Sequence, residues 1–126
     1  MSKEEYISNI IGEGSFFEGK LKLRGSLRID GKFEGEQLKV DHLIIGKTGR
    51  IKTNILSHNV VIEGIIIGNI TASTRVLLLP TARILGDIKT PELIIQNGVI
   101  LEGKVTISTK LEEPAQDIIF KLYNNS

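Results

Sequence analysis

Short apolar strands separated by polar corners recur along the chain at an almost fixed interval. Leu27-Arg28-Ile29 is followed by Leu43-Ile44-Ile45, Val60-Val61-Ile62, Val76-Leu77-Leu78 and Leu93-Ile94-Ile95, with starts stepping by 16, 17, 16 and 17 residues. Ile10-Ile11, just before Gly12, is an earlier copy of the same strand. A second apolar column lies between these strands: Phe16 or Phe17, then Phe33, Ile51, Ile66, Ile84 and Ile100. A third contains Leu21, Leu38, Ile55, Ile70, Ile88 and Val105, spaced by 17, 17, 15, 18 and 17 residues. Self-similarity at one fixed period is the mark of a repeat architecture. Three columns per period predict three short strands per repeat.

A segment of three to five residues cannot bury its apolar face alone. If each repeat winds once, residues of one column stack about 4.8 Å apart, the spacing of hydrogen-bonded strands. About six windings then make a rod on the order of 29 Å long. Gly31, Gly46, Gly64 and Gly98 each follow a first-column strand, and Pro80 occupies the matching corner after Val76-Leu77-Leu78-Leu79. Glycine tolerates positive φ, and proline is acceptable where no ladder N–H is required. The expected fold is therefore all-β, a β-solenoid of about six windings with three short strands each. An antiparallel sandwich would show looser spacing, near 8–12 residues per strand. The solenoid is assigned to residues 10–108, between an N-terminal tail (1–9) and a C-terminal tail (109–126).

Composition sharpens this reading. The chain contains 21 Ile, 14 Leu and 6 Val against 4 Phe, 2 Tyr and no Trp, a bias toward β-branched, strand-forming residues. At 126 residues it accommodates one domain. Net charge is +1, so no strong field attracts nucleic acid or acidic lipid. The early cations Lys20, Lys22, Arg24 and Arg28, and the later Lys47, Arg50 and Lys52, alternate with Glu18, Asp30, Glu34 and Asp41. They read as a mixed-charge solvated surface, with few aromatics to stack bases. No nucleic-acid partner is expected. The absence of cysteine excludes disulfides and thiolate metal sites. The N-terminus lacks the apolar run of a signal peptide, and no stretch approaches the ~18 apolar residues of a membrane span. The expected location is the cytoplasm, including the inner face of the membrane.

Segments within the repeat resemble a known family. Gly25-Ser26-Leu27-Arg28-Ile29-Asp30-Gly31-Lys32-Phe33-Glu34-Gly35 is similar to the bactofilin pattern G-x-L-x-I-D-G-x-x-E-G. The run Gly68 to Ile95, with its N-I-T-A-S, L-L-P-T and G-D-I-K-T-P elements, resembles the family more closely still, and Glu102-Gly103-Lys104 resembles its closing E-G-K. Gln37 stands where an aliphatic residue is usual, which predicts a local register shift to Leu38. Leu101 stands where the family often has Phe. The resemblance implies a right-handed, roughly triangular β-helix that polymerises without nucleotide into filaments without polarity. It further implies service in bacterial cell shape or in localising wall-modifying partners.

Elementary physics points the same way. Each end of a solenoid is a sheet edge, and an uncapped edge templates further pairing. The first winding offers Ile10, Ile11, Phe16, Phe17 and Leu21, and the last offers Ile100, Leu101, Val105 and Ile107. Ile11, Phe16, Phe17 and Leu21 are assigned to an N-terminal assembly surface, and Ile100, Leu101, Val105 and Ile107 to a C-terminal one. The expected partner is another copy of the chain, alongside cell-wall or membrane-associated proteins. Head-to-tail and like-to-like joining both satisfy the sequence, and the resemblance favours like-to-like. In the C-terminal tail, Ile118, Ile119, Leu122 and Tyr123 have helical spacing and could cover the last winding or bind a partner.

Enzymatic readings are weaker. His42 and His58, 16 residues apart, are expected to stack on neighbouring windings as turn histidines. With only Asp41 nearby they fall short of a metal site. A hexapeptide-repeat acyltransferase also uses a triangular β-helix, but the strict six-residue substructure is missing. The carboxylates are scattered rather than paired for glycoside cleavage, and no phosphate-cradling P-loop is present. No cofactor is expected. The remaining alternative is a β-helix that docks partners without polymerising.

Overall fold

A computed structural model describes residues 9–108. Both tails lie outside the described residues except Asn9, and with them the expectations for Ile118, Ile119, Leu122 and Tyr123. The described chain is a β-solenoid of eleven parallel strands: β1 (Asn9–Ile11), β2 (Phe16–Ile29), β3 (Lys32–Ile45), β4 (Arg50–Ile62), β5 (Ile65–Ile67), β6 (Ile70–Leu78), β7 (Arg83–Leu85), β8 (Ile88–Thr90), β9 (Leu93–Ile95), β10 (Ile100–Glu102) and β11 (Val105–Ile107). It makes six windings with three faces each.

The register fixes each face. On the first, Ile11, Ile29, Ile45, Ile62, Leu78 and Ile95 are successive partners. On the second, Phe17, Phe33, Ile51, Ile66, Ile84 and Leu101 stack. On the third, Leu21, Leu38, Ile55, Ile70, Ile88 and Val105 stack. The columns legible in the sequence are thus physical ladders, with one correction. Ile100 pairs with Arg83 and points outward, while Leu101 continues the interior column above it. A single-residue offset reverses the facing of a strand residue.

Strand length departs from the expectation of three short strands per winding. β2, β3 and β4 each run 13 or 14 residues through two corners. Register shifts at Gly19/Lys20, Glu34/Gln37 and Ser57/Asn59 turn the ladder without ending it. Bulges bend a strand while neighbouring hydrogen bonds persist. One shift falls beside Gln37, and Leu38 takes the buried position there. In the last windings the strands are short, as the pattern predicted.

The interior is aliphatic and dry. Phe33, Ile29, Ile45, Ile62, Ile66 and Leu78 are fully buried. Phe17 stacks on Phe33 with ring centroids 4.9 Å apart and planes 10° from parallel. The first corner carries the polar residues of the G-x-L-x-I-D-G segment. Arg28 Nε donates to Asp30 Oδ2 at 2.8 Å, and this bond holds the guanidinium proton more firmly than usual. Thr48 Oγ1 donates to the Asp30 carbonyl of the preceding winding, and Thr81 Oγ1 does the same to Glu63.

At the second corner Gly19, Gly35, Thr53, Gly68, Gly86 and Gly103 form a column, in which Gly19, Gly68, Gly86 and Gly103 share φ between +142° and +150°. Gly86 has φ +147°, and a Cβ there would lie 1.9 Å from the Gly68 carbonyl oxygen. Neither the backbone conformation nor the stacking distance admits a side chain. Thr53 interrupts the column. It is 5% exposed, and its Oγ1 has no hydrogen-bond partner among the described residues.

Two stability changes follow. Gly86→Ala destabilises by on the order of 3 kcal/mol, from strained φ and a clash with backbone that cannot retreat. Thr53→Val stabilises by about 1 kcal/mol, because the isosteric methyl removes a buried unpaired hydroxyl. Urea denaturation under depolymerising conditions measures both, and a Thr53→Val variant less stable than wild type contradicts the second.

Candidate functional site: the two rims

Each rim is a complete winding paired on one side only. At the N-terminal rim, β1 and the first half of β2 pair with the second winding and with nothing before it. At the C-terminal rim, β9, β10 and β11 pair only with β6, β7 and β8. Among the described residues, each rim therefore presents edge segments on its three faces that are paired by a neighbouring strand on one side only. Among the described residues no helix or loop covers either.

The rims are also where the apolar columns open to solvent. Ile11, Phe17 and Leu21 are half-buried, each resting on the winding above with its other side uncovered. Phe16 is 55% exposed and points outward, with the Lys32 ammonium 5.7 Å from its ring centroid. At the other end Leu101 is half-buried, whereas Val105 and Ile107 are exposed. Ile107 partners the fully buried Thr90 and faces the interior. Ile100 lies in the last winding but on its outer surface, 44% exposed.

Three rim residues escaped the sequence assignment. Leu23 is a half-buried inward residue partnered with buried Val40. Ile95 partners fully buried Leu78 yet is itself 50% exposed, and Ile10 is 63% exposed. The signal for Ile95 was available: it ends the last copy of the first apolar column, so nothing follows to cover it.

The third corner holds the histidines. They do not stack on one another. His42 partners Asn59, because β3 and β4 pair there at an offset of 17 residues, one more than the separation of the two histidines. Asn59 Nδ2 lies 2.9 Å from His42 Nδ1, and His58 Nδ1 lies 2.5 Å from Ser73 Oγ. His58 Nε2 is 3.8 Å from Asp41 Oδ1. Asp41 is structural: its Oδ2 accepts from the Gly25 N–H, and its carbonyl accepts from Ser57 Oγ. Both histidines are solvent-exposed. Among the described residues no group of three or more His, Asp or Glu side chains is placed to hold a metal.

Sequence reasoning also missed a polar ladder beside the glycine column. Asn69 N–H donates to Asn54 Oδ1, Asp87 N–H to Asn69 Oδ1 and Lys104 N–H to Asp87 Oδ1, at 2.9–3.1 Å. Each side chain satisfies the backbone of the next winding, so the ladder ties four windings together at a corner.

Six registered windings with open apolar rims define a stackable β-solenoid, a class built for contact between repeats. A family model described as bactofilin, polymer-forming cytoskeletal, matches residues 9–106. The chain belongs to the bactofilin family. Bactofilin BacP of Myxococcus xanthus is 32% identical over 98 residues, spanning 78% of this chain and 41% of BacP. BacO of the same organism is 31% identical over 103 residues, 82% of each chain. The cytoskeletal bactofilin BacA, solved by solid-state NMR, superposes with TM-score 0.71 at 27% identity, covering 79% of this chain and 94% of BacA. A Thermus thermophilus bactofilin, reconstructed by cryo-EM as double helical filaments, gives 0.70 at 27% identity, covering 80% and 100%. The chain thus belongs to a family of polymer-forming cytoskeletal proteins. Among the described residues no helix is long and apolar enough to cross a membrane.

The open columns predict a measurable asymmetry in protection. In hydrogen exchange under depolymerising conditions, amides of 16–23 and 100–107 exchange faster than those of 43–45 and 60–62, which are bonded on both sides. Equal protection across all windings contradicts one-sided pairing at the rims.

Proposed function

We propose that this chain assembles end to end through its two rims into filaments that need no nucleotide. These filaments scaffold cell shape or position wall-modifying proteins, in the cytoplasm and at the inner face of the membrane. The carrying observation is that, among the described residues, both terminal windings combine strand edges paired on one side only with apolar columns that stop half-covered. Joining rims would add backbone pairing and bury Ile11, Phe17 and Leu21 at an N-terminal contact and Leu101, Val105 and Ile107 at a C-terminal one. Strand addition of this kind draws affinity from main-chain bonds and specificity from side chains. The double helical filaments of the Thermus thermophilus relative support the reading.

Like-to-like joining is the arrangement proposed. One two-fold contact then brings N-terminal rims together and another brings C-terminal rims together, and the filament has no polarity. At such junctions the rim strands meet antiparallel, whereas head-to-tail joining would continue the parallel ladder.

Two experiments test the reading. Phe17→Arg and Leu101→Arg each place a charge in one rim. Both are expected to remain folded by circular dichroism and to lose pelletable polymer roughly tenfold or more, since an unpaired buried charge costs several kcal/mol. If both still pellet as wild type does, the rims are not the contact. The chain has no cysteine, so Leu101→Cys is a clean reporter. Like-to-like contact yields a covalent dimer on oxidation of the polymer, and head-to-tail contact leaves the variant monomeric on a non-reducing gel.

A further inference from the structure

Outward residues of the second face form two columns that no part of the described chain covers. Along the first run Phe16, Lys32, Arg50, Ile65, Arg83 and Ile100. Along the second run Glu18, Glu34, Lys52, Ile67, Leu85 and Glu102. Toward the N-terminal end this face is charged, and Lys32 is within 3.9 Å of Glu34. Toward the C-terminal end it becomes apolar. Ile67 is 43% and Leu85 52% exposed, on directly bonded strands far from the N-terminal rim, with Ile65 and Ile100 alongside. No end-to-end contact would bury Ile67 or Leu85, which sit in the fourth and fifth windings. Lys52, Arg83 and Glu102 border these residues, and none of the three has an ion-pair partner among the described residues.

We propose that this face, built by the Arg50–Lys52 end of β4 with β5, β7 and β10, joins two rods side by side, with a second copy of this chain as the occupant. The inference deepens the assembly reading and names the surface by which strands of the polymer pair. The charge pattern selects the geometry. A two-fold axis along the strand direction, between β5 and β7, makes the rods antiparallel. The fourth winding then faces the fifth of the second copy, and the third faces the sixth. Ile67 meets Leu85 of the second copy, and symmetry repeats that contact. Lys52 meets Glu102 of the second copy, also twice. Arg50 lies over Ile100, and Arg83 lays its aliphatic stem along Ile65, as long cations do on apolar surface. Rods related instead by an axis parallel to their length would set Arg50 against Lys52, a like-charge pairing that selects against that arrangement. The patch is self-complementary in one orientation, as an isologous contact requires.

Charge exchange on the full-length chain tests this surface separately from the rims. Lys52→Glu sets two carboxylates face to face across the contact, and Glu102→Lys sets two ammonium groups there. Negative-stain images of either single variant are expected to show filaments of single width, with paired filaments reduced roughly tenfold. The double exchange Lys52→Glu with Glu102→Lys is expected to restore pairing. Leu85→Lys is expected to separate the strands and is not rescued. Paired filaments that persist in both single variants overturn the proposal, as does failure of the double exchange to restore them. Wild-type filaments of single width overturn it too. If the wild-type chain forms no filaments, the rim reading fails by itself. The face is then read by sedimentation velocity, where a dimer that Lys52→Glu dissociates and the double exchange restores supports it, and a strict monomer overturns it.

Discussion

The parallel hydrogen-bond ladder between successive windings is the interaction on which everything else depends. Among the described residues no strand has a partner within its own winding; each is paired 15 to 18 residues away in sequence. A single winding is therefore unstable, and only a stack satisfies the backbone. This makes stability a sum of neighbour terms, as in other solenoids, and leaves both terminal windings paired on one side only. The proposed end-to-end assembly would draw on the same kind of backbone pairing that holds the fold.

Corners carry the second constraint. Apolar columns alone would permit a range of windings. The three corners narrow that range with distinct chemistry: Asp30, Thr48 and Thr81 hydrogen bonds at the first, stacked glycines with an Asn–Asn–Asp ladder at the second, and Asp41 with Ser57 at the third. Glycine at the second corner is dictated by backbone proximity, since the carbonyl of one turn occupies the place where a Cβ of the next would sit. Thr53 is the exception, and its unpaired hydroxyl is the local cost of that substitution. Several polar side chains at these corners are tied into backbone bonds of a neighbouring winding.

Much of this was readable from the chain. The three columns, the six windings, the corner positions and the shift at Gln37 appear in the sequence because a solenoid converts sequence period directly into spatial stacking. The resemblance to bactofilins rested on the same corner motifs. What was misread follows a common rule. Ile100 was placed in the interior because the pattern tolerates an offset of one residue, yet one residue reverses a strand's facing and makes Leu101 the interior group. His42 and His58 were aligned by their separation of 16, but β3 and β4 pair at an offset of 17 there, which makes Asn59 the partner. A one-residue difference in offset leaves no signal in an apolar pattern when the residues concerned are polar.

The sequence by itself determined the period, the fold class and the family, because interior positions of a repeat must be apolar at a fixed interval whatever the surface does. Tertiary structure alone decided which side chains face outward together. Ile65, Ile67, Leu85 and Ile100 look like ordinary members of the repeat when read in order. They form one patch, with Ile67, Leu85 and Ile100 exposed and Ile65 half-buried, only because three strands far apart in sequence are bonded side by side. Hydrogen bonding across windings, not proximity along the chain, sets that adjacency.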